Sequence, residues 1–337
     1  MNSKTVTILI PTYKRPEKLK RAIASVLSQT YSDLEVMVFD NASGDETSEI
    51  VASFMRSDPR VRYHRHPENI GMCANFNFAV SRVETPYFAF LSDDDYYLPN
   101  FVTDAMSGLE KYPPAMFSVL NSPVVNECSK DKVIDRVLDA WPREGLYYPA
   151  EALHLVTGGL HPVITGCVFR SELKPDVYFD GEVELISDVP VWFVLTAKYA
   201  FCLSKKPGVY FIRHPEAAGN MLPLLKLQLW SRVERVIRKN TSVPSWAMQV
   251  ISKSVRDRMN KLQRIGFLKL LESIKLDDMK MFNNYYSMLK EGNISAYQMG
   301  AGTINTVIKW KLAGRCLQYV LDVASRLLKP FQERIWR

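Results

Sequence analysis

Short apolar runs alternate with amphipathic stretches through the first hundred residues. Val6-Thr7-Ile8-Leu9-Ile10 is a β-branched run stopped by Pro11, the pattern of a buried strand. Pro16 is placed to open a helix, and Leu19, Ala22, Ile23, Val26 and Leu27 follow at i, i+3, i+4, i+7 spacing, which predicts one apolar face. Leu34–Phe39 predicts a second strand ending at Asp40. Asn41-Ala42-Ser43-Gly44-Asp45 predicts a turn with Ser43 or Asp45 capping a helix that buries Ile50, Val51 and Phe54. Val61–Arg65 predicts a third strand, and Asn69-Ile70-Gly71 a turn into a helix carrying Phe76, Ala79 and Val80. Tyr87-Phe88-Ala89-Phe90-Leu91 is apolar throughout, as in a strand covered on both faces. The order β-α-β-α-β-α-β predicts an α/β domain with a mostly parallel sheet flanked by helices and joined by right-handed crossovers.

The pattern is less regular from 110 to 215. Val163–Phe169 predicts a strand interrupted by Gly166, and Tyr178–Ser187 is an acidic segment leading to Asp188. Val189–Ala197 predicts a helix with Pro190 in its first turn, and Gly208–Ile212 a last strand followed by Arg213 and His214. Beyond about 225 the chain reads as helical, with Ile304, Ile308, Leu312, Cys316, Val320, Leu327 and Phe331 near one stripe. The organisation predicted is a domain over 1–220, with halves 1–110 and 111–220, and a basic helical region over 221–337.

Charge divides the chain in the same place. The formal net charge is +7, but residues 1–225 carry 22 Lys and Arg against 28 Asp and Glu, while 226–337 carry 21 against 8. Trp230, Trp246, Trp310 and Trp336 fall in the basic part, and Lys309, Lys311, Arg315 and Arg326 flank its apolar stripe. Such helices suit a solvated face, a partner interface or an in-plane membrane contact. No nucleic-acid recognition motif accompanies the charge. Five scattered cysteines without a C-x-x-C pair argue against a disulfide framework or zinc site and for a reducing compartment. No apolar run approaches the roughly 18 residues of a membrane span, and the run before Pro11 is short for a signal peptide. The expectation is a cytoplasmic protein.

The chemistry concentrates at Asp93-Asp94-Asp95, directly after the fourth apolar run. Ligands of open α/β sheets bind outside the carboxyl ends of strands, and hard carboxylate oxygens suit Mg²⁺ or Mn²⁺ shared with a substrate's phosphates. The same triplet would also serve as a solvated acidic turn before the helix that starts near Pro99 and Asn100. G-x-G-x-x-G and P-loop patterns are absent after the first strand, so a nucleotide would be held by other means.

Together, P-T-Y-K-R-P at 11–16, Asp40-Asn41-Ala42-Ser43-x-Asp45, Asn69-Ile70-Gly71 and F-L-S-D-D-D-Y-Y-L-P at 90–99 resemble the family 2 glycosyltransferases of GT-A fold over roughly residues 4–215. The resemblance implies an inverting transfer from a uridine- or thymidine-diphospho-sugar to a hydroxyl of a glycan or lipid-diphosphate-linked glycan, in surface polysaccharide synthesis. It implies a nucleotide site formed by Pro11, Thr12, Tyr13, Arg15, Asp40, Asn69, Gly71 and Asp93, with Asp40 accepting from the base imide N–H. It implies a Mg²⁺ or Mn²⁺ site at Asp94 first, with Asp95 and His214 as further ligands, and Arg213 near phosphate. The general base of the family opens a later helix, a position matched here by Asp188, with Glu182 and Glu184 as alternatives. His161 is a candidate for the acceptor side. The basic region 221–337 would suit an anionic membrane surface. Ser92 and Ser187 stand where the family often carries carboxylates, which keeps open a silent relative that binds carbohydrate or docks in a membrane complex. A sugar nucleotidyltransferase shares the sheet order but carries a glycine-rich basic loop after the first strand, which P-T-Y-K-R-P lacks.

Overall fold

The computed structural model describes residues 4–126, 133–213, 223–240 and 242–275. The first half follows the apolar pattern closely: β1 (Val6–Thr12), α1 (Pro16–Leu27), β2 (Leu34–Asp40), α2 (Thr47–Ser57), β3 (Val61–Arg65), α3 (Met72–Ser81) and β4 (Tyr87–Phe90). After it come β5 (Tyr96–Tyr97), α4 (Phe101–Lys111), β6 (Phe117–Asn121), β7 (Pro123–Asn126), β8 (Val133–Arg136), β9 (Gly145–Tyr147) and α5 (Pro149–Thr157). The chain continues through β10 (Cys167–Arg170), α6 (Asp188–Lys198), β11 (Phe201–Pro207), β12 (Val209–Arg213), α7 (Pro223–Arg238) and α8 (Ser245–Lys275). One unit of the chain comprises Met1–Ala218 with Val233–Ser252, and the other Gly219–Arg232 with Lys253–Arg337. The stripe at 304–331 and His214 lie outside the described residues.

Among the described residues one eight-stranded sheet runs β3-β2-β1-β4-β10-β6-β11-β9, and a four-stranded sheet runs β5-β12-β7-β8. β1 is parallel to both β2 and β4, so the carboxyl ends of these three strands open on one edge of the sheet. Every residue of β1 is buried, which is why its run shows no polar alternation. The α1 face packs Leu19, Ile23 and Val26, all fully buried, against this layer; each such side chain contributes about 1.5–3 kcal/mol.

The second half departs from the expected strand at 163–169. Ile164–Gly166 is a 3₁₀ turn, and only Cys167–Arg170 pairs, antiparallel to both β4 and β6. Thr165 is drawn out of a strand path by its hydrogen bond to Asp95, 3.0 Å. A Cβ on Gly166 would stand 2.9 Å from the Leu120 carbonyl oxygen, so the turn closes only around glycine. What holds these short strands is a row of rings. Phe88, Phe169, Phe117, Phe201 and Tyr147 occupy register-matched positions on β4, β10, β6, β11 and β9, with neighbouring centroids 4.8–5.7 Å apart. Cross-strand aromatic pairs at these distances are favourable beyond their buried area.

Candidate active site

Three loops at the carboxyl ends of β1, β2 and β4 are tied together by side chains. Asp40 ends β2 with its side chain 1% exposed. Its Oδ1 accepts from Ser43 N–H (2.9 Å) and Ser43 O–H (2.6 Å), and Oδ2 accepts from the Tyr63 hydroxyl (2.6 Å). The carboxylate therefore closes the Asp40–Ser43 turn. Ser43 Oγ then accepts from Lys14 N–H (2.9 Å), joining this turn to the β1 loop. Asn69 Oδ1 accepts from Asn41 Nδ2 and from Gly71 N–H, both at 2.9 Å. Asp45 accepts from Thr47 N–H at the start of α2, as a capping residue does.

Gly71 has φ +86° and ψ 158°, a region occupied essentially by glycine alone. No atom lies within 4 Å of a Cβ built there, so Gly71→Ala meets backbone strain without a clash. The variant is expected to lose about 1–3 kcal/mol of stability in urea unfolding, with the Asn41–Asn69 link loosened as the turn relaxes.

The three aspartates after β4 have separate fates. Asp93 Oδ2 accepts from the Thr12 hydroxyl (2.8 Å) and its Oδ1 from Arg15 Nη1 (3.1 Å). The same Arg15 nitrogen reaches Asp94 Oδ2 at 3.0 Å, and Arg21 donates to the Asp94 carbonyl. Burial pushes the Asp93 carboxyl above its ordinary value, opposed by the Arg15 charge. Asp95 is 1% exposed, with Oδ1 accepting from Ile212 N–H (2.9 Å) and Oδ2 from Thr165. Burial, with Asp94 beside it, raises its carboxyl well above the usual range. Asp95 thus joins β4 to β12 and the β10 turn, with each of its two oxygens taking a hydrogen bond from within the fold.

Asp93 and Asp94 converge on one guanidinium nitrogen, so two hard carboxylates already face a single cationic position. Among the described residues no group of three or more His, Cys, Asp or Glu side chains forms a closed cage. That donor set fits a Mg²⁺-like ion, which takes one or two carboxylates and fills its remaining positions with phosphate and water.

Asp188 is the first residue of α6 and lines a cavity of about 390 Å³ that Ser92 and Asp95 also line. The α6 N-terminus, with the backbone of Asp188 and Val189, favours a carboxylate, yet burial prevails and raises its carboxyl above the ordinary value. Phe76, Phe179 and Phe211 supply aromatic walls, and Glu184 and His161 line the same space. Glu182 does not: Lys239 and Arg235 hold it, and they pull its carboxyl below the usual range. Sequence reasoning missed Thr165 and Tyr63, each of which acts on a site carboxylate through a contact that no local spacing announces.

No helix among the described residues is long and apolar enough to cross a membrane. The model of the family described as glycosyl transferase family 2 matches residues 7–170. An uncharacterized glycosyltransferase of Rickettsia prowazekii is 24% identical over 327 residues, covering 91% of this chain and 96% of that one. The GalNAc(5)-diNAcBac-PP-undecaprenol beta-1,3-glucosyltransferase of Campylobacter jejuni is 29% identical over 102 residues, 30% of this chain and 33% of its own. The structure of S. aureus TarS 1–349 in complex with UDP-GlcNAc superposes with a TM-score of 0.53 at 16% identity, covering 88% of this chain and 92% of that one. At that identity the likeness is one of fold, the GT-A fold. The matched span includes every strand-end loop described above as well as the β10 turn, and over residues 7–170 this chain carries a glycosyl transferase family 2 domain.

Proposed function

We propose that the protein transfers a sugar, with inversion, from a uridine- or thymidine-diphospho-sugar to a hydroxyl of a glycan or lipid-linked glycan, with Asp188 as general base. The observation that carries this reading is the shared cavity: Asp188 faces the space reached from the carboxyl end of β4. Glycosyltransferase relatives supply the reaction class, and the Campylobacter jejuni enzyme acts on an undecaprenol-linked acceptor. TarS binds UDP-GlcNAc, which supports a uridine donor.

The chemistry then divides among named residues. Asp188 takes the proton of the acceptor hydroxyl as its oxygen bonds to the anomeric carbon, and the bond from that carbon to the diphosphate oxygen breaks on the opposite face. A carboxyl raised by burial is a stronger base than an exposed aspartate. Asp94, with Asp93 beside it, would hold Mg²⁺ or Mn²⁺, which when bound offsets charge on the leaving diphosphate. Arg15 adds a fixed positive charge at the same place. Tyr13 offers a ring to the nucleoside, and Asp40 Oδ2, which takes the Tyr63 hydroxyl, retains acceptor capacity for an imide N–H. Asn69 and Gly71 shape the same pocket through the Asn41 link.

Calorimetric titration of the purified protein with UDP and Mn²⁺ tests the donor half. Binding of UDP in preference to GDP is expected, and absence of binding to UDP, dTDP and GDP alike would sink the proposal. Association with an anionic membrane surface through 221–337 is a separate proposal, checked by cosedimentation with phosphatidylglycerol vesicles at low and high salt.

A further inference from the structure

The segment from Asp176 to Asp188 carries Phe179, Glu184, Leu185 and Ser187 into the cavity wall and ends at the proposed base. On one side it is bound to α3: Asn77 Nδ2 donates to the Phe179 carbonyl and Asn77 Oδ1 accepts its N–H, both at 2.8 Å. On the other side it meets residues 235–242, far along the chain, through charge. Lys239 Nζ donates to Asp180 Oδ2 (2.7 Å) and to Glu182 Oε1 (2.8 Å), and Arg235 donates to Glu182. Asn240 Nδ2 donates to Asp176 Oδ1 (2.8 Å), whose Oδ2 accepts from Lys198 (2.5 Å) and the Tyr199 hydroxyl (2.6 Å).

Two features make these ties more than surface decoration. Asp180 is buried, with its side chain 7% exposed, and its Oδ1 also caps the 3₁₀ turn Gly181–Ile186 by accepting Glu182 N–H at 2.9 Å. A paired, hydrogen-bonded, buried carboxylate is costly to leave alone. Behind the segment lies a second cavity of about 460 Å³, bordered by Tyr178, Pro190, Val194, Val236 and Ile237. Apolar packing there is incomplete, so the polar ties at the rim fix the spacing between the segment and the end of α7.

We propose that Lys239, with Asn240 beside it, acts as a positioning latch: it holds the Asp176–Ser187 segment against α3 and thereby sets the place of Asp188 in the acceptor cavity. The consequence for catalysis rests on the glycosyltransferase reading above; the latch itself does not. It also gives part of the basic stretch after 225 a specific use within the same unit, pairing with the acidic segment 176–184.

Cys73 reports on the latch directly. It is buried on α3 in the cavity wall, which Ser187 also lines, and burial pushes its thiol up to about 11. Lifting the segment would expose it. Labelling of the full chain with N-ethylmaleimide, read at the Cys73 peptide by mass spectrometry, is expected to be about three- to tenfold faster in Lys239→Ala than in the parent. Lys239→Arg should restore the parent rate, because a guanidinium can reach both carboxylates. The parent's rate should rise more steeply with NaCl concentration than that of Lys239→Ala, which keeps only the Arg235–Glu182 and Lys198–Asp176 pairs to screen. An unchanged Cys73 rate in Lys239→Ala, or no rescue by Lys239→Arg, overturns the latch. In parallel, Lys239→Ala should keep the parent's UDP affinity and lose turnover in hydrolysis of a uridine-diphospho-sugar, with Lys239→Arg recovering it. A parent protein that binds no UDP defeats the donor reading alone, and the labelling rates still decide the latch.

Discussion

Asp188→Asn is expected to lower transferase turnover by about 10²–10⁴-fold while leaving UDP affinity within twofold of the parent. The size of the loss is that of a missing general base. The substitution keeps the shape of the side chain and one acceptor oxygen, but an amide cannot take the acceptor's proton. The pH profile supplies a second reading. Burial raises the folded carboxyl above its ordinary value of 3.8, so the acid limb of activity should be displaced upward from the range of exposed aspartates. Activity then rises with pH through that value, as the base ionises. The sign for stability is opposite. The folded state holds this proton more tightly than the unfolded state, so stability declines as pH rises from the unfolded value through the folded one. Asp188→Asn escapes that decline, and its melting temperature near neutral pH should equal or exceed the parent's. Inactivity in a protein that melts no earlier identifies a chemical loss. Retention of parent turnover by Asp188→Asn would remove Asp188 from the mechanism and turn attention to Glu184, which lines the same cavity.

The parts of this site that the sequence made legible share a physical origin. A strand buried on both faces is an apolar run, so β1, β2 and β4 are visible in one dimension, and a residue at the end of such a run must lie at the sheet edge. Asp40, Asp93 and Asp94 were placed by that reasoning. Asp188 was singled out by the family resemblance; the apolar pattern supplied the helix it opens, whose residues Val189–Ala197 are buried throughout. What stayed hidden depends on contacts between residues distant in the chain. Asp95 cannot be told from Asp94 by spacing; Thr165 and Ile212, 70 and 117 residues away, turn it inward. The antiparallel insertion of β10 between β4 and β6 rests on Phe169 stacking with Phe88 and Phe117, a match of register that no window of sequence contains. The Asp180–Lys239 pair spans 59 residues and reads locally as two unrelated charged faces.

The distinction between Asp94 and Asp95 leads to the second large expected effect. Asp94→Ala should lower Mn²⁺-dependent turnover about a hundredfold or more, a loss of several kcal/mol of charge stabilisation on the leaving diphosphate. The two neighbouring carboxylates cannot replace it. Asp93 is tied by Thr12 and Arg15, and Asp95 spends its oxygens on Thr165 and Ile212. The side chain of Asp94 is 16% exposed against 7% for Asp93, so Asp94 is the more open of the two to an ion arriving with the diphosphate. Its removal leaves the Arg15–Asp93 pair in place, and the fold should stand. Asp95→Asn provides the contrast. An asparagine there can still accept from Ile212 N–H and donate to the Thr165 hydroxyl, so the strand link survives, and Mn²⁺-dependent UDP affinity should stay near the parent's. Titrating UDP with and without Mn²⁺ into both variants separates the two roles: the metal-dependent gain in affinity is expected to vanish in Asp94→Ala and persist in Asp95→Asn. The reverse outcome would mean that Asp95 turns outward when donor binds, breaking its bonds to β12 and the β10 turn, and the ligand would then be Asp95.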